Sequence, residues 1–130
     1  MPDLENKPEM TCYCCSEIPY SDCCEPYISK KKSAPNALAL MRSRYSAYAV
    51  RNADYLIETT AAATRKFHIK KDILDWASQN QWMKLEILNH SENTVEFKAY
   101  YLDERLKMQV HHEKSRFVFS SGKWFYLDYQ

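Results

Sequence analysis

The chain's 130 residues suffice for one compact core plus a small appendage without a core of its own, and a 45% hydrophobic share with a single glycine excludes a disordered or fibrous protein. A formal charge of +1 removes the bulk attraction on which broad nucleic-acid binding relies. No stretch approaches the roughly 18 consecutive apolar residues of a membrane span, and the amino end has no signal-peptide pattern, so the cytosol is the expected compartment.

Residues 1–11 are polar, carry two prolines and show no period, as a flexible terminal arm would. All five cysteines then fall between Cys12 and Cys24. Cytosolic thiols stay reduced, and an odd number does not close a disulfide set, so metal ligation is the expected use. Cys12 and Cys14, one residue apart, and the adjacent pair Cys23 and Cys24 across a short loop offer four thiolates to one Zn²⁺; Cys15 is the alternative to Cys14. Four protein ligands leave no place for an activated water, so such a site stabilises without catalysing. A charged connector bounded by Pro26 and Pro35 follows, with Lys30, Lys31 and Lys32 in it. A solvated surface is the simpler reading of that run, although RNA contact would be sought there if anywhere. The expected organisation is thus an arm (1–11), a zinc segment with its connector (12–35) and a domain (36–130).

Asn36 is placed to cap a helix in which Leu38, Met41, Tyr45 and Tyr48 recur at helical spacing, ending near Arg51 and Asn52. Asp54 can open a short second helix, and Ile69, Ile73, Trp76 and Ala77 form one stripe of a third. From Trp82 the period changes to two. Met83, Leu85 and Ile87 alternate with charges, and after a turn at Ser91, Glu92 and Asn93 so do Val95, Phe97, Ala99 and Tyr101. A third strand begins with Leu106, Met108 and Val110 as its inward set but ends with Phe117 and Phe119 in the opposite phase, which a bulge near His111 and His112 would reconcile. Pairing outward from the turn at Ser121 and Gly122 sets Phe119 against Trp124, Phe117 against Tyr126, and Ser115 against Asp128. Helices followed by antiparallel strands make an α+β domain, the helices packed on one face of a curved sheet.

The cysteine spacing is similar to the SEC-C motif, the zinc-binding tail of the SecA translocase ATPase. Together with Pro26-Tyr27-Ile28, the run from Leu40 to Tyr48, Ala53 to Leu56, Ser115-Arg116-Phe117 and Trp124-x-Tyr126-x-Asp128, it resembles the YchJ-like family over most of the chain. The resemblance implies a bacterial protein whose domain has the cystatin-like cone fold of nuclear transport factor 2, with room for a pocket. It also implies a protein partner, since the related SecA tail contacts a chaperone and the ribosome. Three departures stand out: Cys15 and Glu17 occupy positions where the family has glycines, Thr60-Ala61-Ala62 replaces a usual Trp-His-Pro, and the second SEC-C copy of longer members does not follow.

The aromatic set Tyr45, Tyr48, Tyr55, Phe117, Trp124 and Tyr126 serves either a ligand pocket or, more simply, core packing. Arg42, Arg116 and Asp128 are the charged candidates for that pocket, Arg44 is a further candidate for a buried polar network, and one of His111 and His112, which point to opposite faces, can enter it. Arg42 and Arg44 lie two apart on a helix and point to different faces, so at most one faces inward, and a structural salt bridge is the simpler expectation. No acid can be paired with a base, so no catalytic residue is assigned. A zinc-binding, non-enzymatic interaction protein whose knuckle presents a partner surface is the first reading, and a small-molecule binder or enzyme using the cone is the alternative.

Overall fold

A computed structural model describes residues 11–130, so the expected arm lies outside the described residues except for Thr11, which pairs with Pro19 and closes the cysteine loop. A 3-10 turn (Tyr20–Asp22) leads to helices α1 (Glu25–Ile28), α2 (Ala37–Ala49), α3 (Ala53–Glu58), α4 (Ala62–Arg65) and α5 (Lys70–Gln79). Strands β1 (Gln81–His90), β2 (Thr94–Leu102), β3 (Met108–Ser120) and β4 (Lys123–Tyr129) follow as one antiparallel meander in that order. The architecture is α+β, with helices on a curved four-stranded sheet. No helix among the described residues is long and apolar enough to cross a membrane.

Helix α2 is the hub. Asn36 caps it as expected, its side chain accepting the Ala39 N–H at 2.7 Å. The helix is buried nearly all round, including Ser43, Arg44 and Ser46, and buried polar groups need partners. Those partners show what each face touches. Arg42 and Ser46 contact the cysteine loop. Ser43 Oγ lies 2.7 Å from Tyr55 OH of α3, and Arg44 reaches the carboxyl end of α3. That second helix starts a residue earlier than expected because Asn52 caps it, accepting the Tyr55 N–H at 3.0 Å.

In the sheet, β2 follows the expected alternation, with Val95, Phe97 and Ala99 buried. On β1 a register shift between Trp82 and Lys84 turns Met83 out, 51% exposed, while Leu85 stays buried. The expectation for β3 is corrected more deeply. Its pairing with β2 runs unbroken from Arg116 to Met108, so there is no bulge at His111 and His112. Leu106, Met108 and Val110 are all exposed, and the inward phase is His111, Glu113, Ser115 and Phe117 throughout. The irregularity lies later, between Arg116 and Phe117. Phe119–Trp124 and Phe117–Tyr126 pair as expected, but Asp128 then meets Arg116 and not Ser115. At the turn, Ser121 and Gly122 both take positive φ, 53° and 79°, as a two-residue hairpin loop matched to strand twist requires.

Both sheet edges meet flanking segments. Along β4, the Tyr126 carbonyl accepts the Ala61 N–H and its N–H donates to the Thr59 carbonyl, each at 2.7 Å. Along β1, the Leu85 N–H donates to Cys15 Sγ at 3.4 Å. Cys12, Cys14, Cys24 and Ile28 share one buried cluster with Leu40, Met41, Phe97 and Phe117, so the cysteine segment and the cone have a common core.

Candidate metal centre and cone cavity

The cysteine loop reverses direction within a few residues. Cys15 and Glu17 stand at φ 66° and 69°, the left-handed region where a Cβ is crowded. Both positions thus carry side chains in a conformation that favours glycine. This turn brings the Sγ atoms of Cys12, Cys14, Cys23 and Cys24 within 4.8 Å of one another. Cys14 and Cys23 are 3.7 Å apart, and Cys23 and Cys24 are 3.9 Å apart. A tetrahedron of sulfurs around zinc at about 2.3 Å has edges of roughly 3.8 Å, so the donor set fits that ion. All four cysteines are free of disulfides. Cys15 points away from the cluster, to the edge of β1.

Electrostatics reinforce the fit. Hydrogen bonds from the Cys12 and Cys24 thiols hold Cys14 far below the ordinary thiol value. Hydrogen bonding to Cys12 and Cys14, together with burial, drives Cys24 far above it. Cys23 goes up to about 11, chiefly through burial. Sulfurs this crowded cannot all ionise unless a cation sits among them. Outer contacts hold the cluster in place: Arg42 Nη1 donates to the Cys14 carbonyl at 2.9 Å, Ser46 Oγ lies 3.5 Å from Cys12 Sγ, and Ser16 Oγ lies 3.1 Å from Cys23 Sγ.

On another face of α2, the helix and the concave side of the sheet enclose a cavity of about 120 Å³. Tyr45, Tyr48 and Trp76 pack against Trp82 with ring centroids 5.5–6.1 Å apart and wall off one side. Arg44 enters from α2, its guanidinium 4.5 Å from the Tyr126 ring centre. From β3 comes a linked polar group. Glu113 Oε1 lies 2.8 Å from His111 Nε2, while Oε2 accepts from Ser115 at 2.5 Å and Tyr126 at 3.3 Å. Burial opposes ionisation of Glu113, but the hydrogen bonds of His111 and Ser115 outweigh it and hold the carboxyl below its ordinary value. His111 is raised in turn by its hydrogen bond to Glu113. His68, 6.1 Å from Tyr126, is lowered by burial and by the Arg44 charge.

Of the nine residues expected at a pocket, Tyr45, Tyr48 and Tyr126 line this cavity. Arg42 serves the cysteine loop and Tyr55 bonds Ser43. Phe117 packs in the core beside Tyr126, while Trp124 borders a separate hollow with Tyr27 and Lys123. Arg116 and Asp128 pair with each other at the surface. Lys30 and Lys31 are tied to Glu58 and Glu25, at 2.7 and 3.7 Å. Glu113 and Trp82 are the cavity residues that sequence reasoning missed; Arg44 is the inward one of the two arginines, and His111 is the histidine of its pair that enters. One signal was present: the polar series His111, Glu113, Ser115 shares its strand phase with Phe117.

Comparison with known proteins gives one answer. The family described as "YchJ, middle NTF2-like domain" matches residues 36–129. The chain is 39% identical over 125 residues to a UPF0225 protein of Actinobacillus succinogenes, covering 90% of this chain and 79% of that one. A UPF0225 protein of Photorhabdus laumondii is 40% identical over 124 residues, covering 90% and 78%. Among solved structures, a SEC-C motif containing protein from Rhodopseudomonas palustris superposes with a TM-score of 0.85 at 34% identity, covering 93% of this chain and 98% of that one. Another, from Psychrobacter arcticus, gives 0.78 at 30% identity, covering 92% and 81%.

Proposed function

The chain belongs to the YchJ family, and from that premise we propose that it is a zinc-stapled, non-enzymatic interaction protein whose cysteine knuckle presents a partner-binding surface. The observation that carries this reading is the convergence of four sulfurs within 4.8 Å. Cys12, Cys14, Cys23 and Cys24 would hold the ion as thiolates, and with every position taken by protein the bound zinc supplies cross-linking and charge neutralisation. Arg42, held on the Cys14 carbonyl, adds a positive charge beside a site that carries surplus negative charge once loaded.

The partner is read from the knuckle's outer rim. Ile18 is 47% exposed at the end of the loop. Tyr13 and Tyr20 stack edge to face beside it, 5.3 Å between centroids, with Glu17 and Asp22 exposed at the border. An apolar anchor and two aromatic rings with an acidic border suit a protein surface that offers an apolar pocket among basic residues. Crosslinking of the zinc-loaded chain in bacterial extract tests this. Species captured by the unaltered protein should be lost with Ile18→Glu and with Cys23→Ser/Cys24→Ser, and retained with Lys32→Glu. Capture indifferent to both knuckle variants would overturn the partner reading.

A further inference from the structure

We propose that the cone cavity binds a small organic monoanion, a carboxylate carried on a single ring or short chain, anchored by Arg44 and seated against the aromatic wall at Trp82. The inference is independent of the knuckle and its metal. Arg44 is 5% exposed. Its Nη1 donates to three neutral acceptors, the Leu56 carbonyl at 2.9 Å, Thr59 Oγ1 at 2.7 Å and Thr60 Oγ1 at 3.4 Å. Among the described residues, Nε and Nη2 find no protein acceptor, and no carboxylate forms an ion pair with the guanidinium. The nitrogens left without an acceptor belong to a side chain that lines the cavity. The two free nitrogens of a guanidinium fork match the two oxygens of one carboxylate.

The cavity's own carboxylate does not answer that need. Both oxygens of Glu113 are taken by His111, Ser115 and Tyr126, so it acts on Arg44 through space and without a hydrogen bond. His68 faces the same space and is disfavoured as a second cation by burial and by Arg44. With one guanidinium fork and the Glu113 carboxylate in the same space, the cavity favours a monoanion over a dianion such as phosphate. Size sets the rest: about 120 Å³ is close to the roughly 150 Å³ of a cavity that accepts benzene. Trp76, Trp82 and Phe97 give an apolar body somewhere to lie.

The test uses the full chain and a panel of acetate, butyrate and benzoate, each beside its amide, with inorganic phosphate as a further arm, followed by calorimetry and by nitrogen–proton NMR spectra. At least one carboxylate should bind saturably, about tenfold or more tighter than its amide, and shift the Arg44 Nε–H and Trp82 indole signals. Arg44→Gln should remove the preference. Should that variant fail to fold, the contrast between acid and amide on the unaltered chain still decides. Amides binding as tightly as acids, phosphate binding in their place, shifts confined to surface lysines, or no binding by any panel member would each overturn the proposal.

Discussion

The two polar faces of α2 are opposites. Toward the loop, four sulfurs converge, and Arg42 beside them bonds a carbonyl and no sulfur. Toward the sheet, a guanidinium is buried with no carboxylate hydrogen-bonded to it among the described residues. The proposed occupants are a cation of tetrahedral preference for the first and an anion of one charge for the second. A single helix can present both because Arg42 and Ser46 share one side of it, and Arg44 and Tyr48 another. Buried polarity lacking its complement is costly in either sign, and each deficit indicates the charge of what would fill it.

The largest effect that would break this comparison is removal of the metal. Because Cys12, Cys14 and Cys24 share the core of Leu40 and Phe97, a chelator should lower the unfolding transition of the whole chain. The loss is about 4 kcal/mol when free zinc had stood about a thousandfold above its dissociation constant. A cone that melts unchanged while the loop alone loosens would show that the common core is not shared energetically. Arg44→Ala comes next. It strips the Leu56 carbonyl and Thr59 of a charged donor and uncovers the Tyr126 ring, and should cost about 2–3 kcal/mol in denaturant unfolding.

A smaller effect of opposite sign sharpens the loop side. Glu17 is exposed at φ 69°, so Glu17→Gly should stabilise by about 1 kcal/mol, with Glu17→Ala giving no such gain. The smallest effect concerns pH. Glu113 has its carboxyl lowered on folding, so its contribution is present above the ordinary value of 4.5 and fades as pH falls below it. His111 is raised on folding, so its contribution is full below 6.5 and fades as pH rises through its folded value. The difference in melting temperature between the unaltered chain and Glu113→Gln should therefore peak between those two values. A difference that grows steadily to pH 9 would contradict the pairing.

Much of this molecule can be read locally. Capping at Asn36, the helical recurrence of Met41, Tyr45 and Tyr48, the alternation of β2 and the spacing of Cys12, Cys14, Cys23 and Cys24 each reflect short-range physics, and the structure shows each in place. What could not be read depends on assembly. The apolar residues Met108 and Val110 suggest the inward face of β3, yet that face carries His111 and Glu113 because it borders a cavity and not a packed core. Likewise Arg42 and Arg44 are alike in sequence, and which of them enters the cavity depends on where the knuckle lands on α2. The cavity members of the expected aromatic set were legible as core; Trp82 was not, because the β1 irregularity that places it leaves no pattern of its own.

Native mass spectrometry of the chain produced with zinc available tests the central claim most directly. One zinc ion per chain, retained in the intact protein and absent from Cys23→Ser/Cys24→Ser, is the predicted result. A metal-free mass, with all five thiols open to rapid alkylation while the protein stays folded, would contradict it.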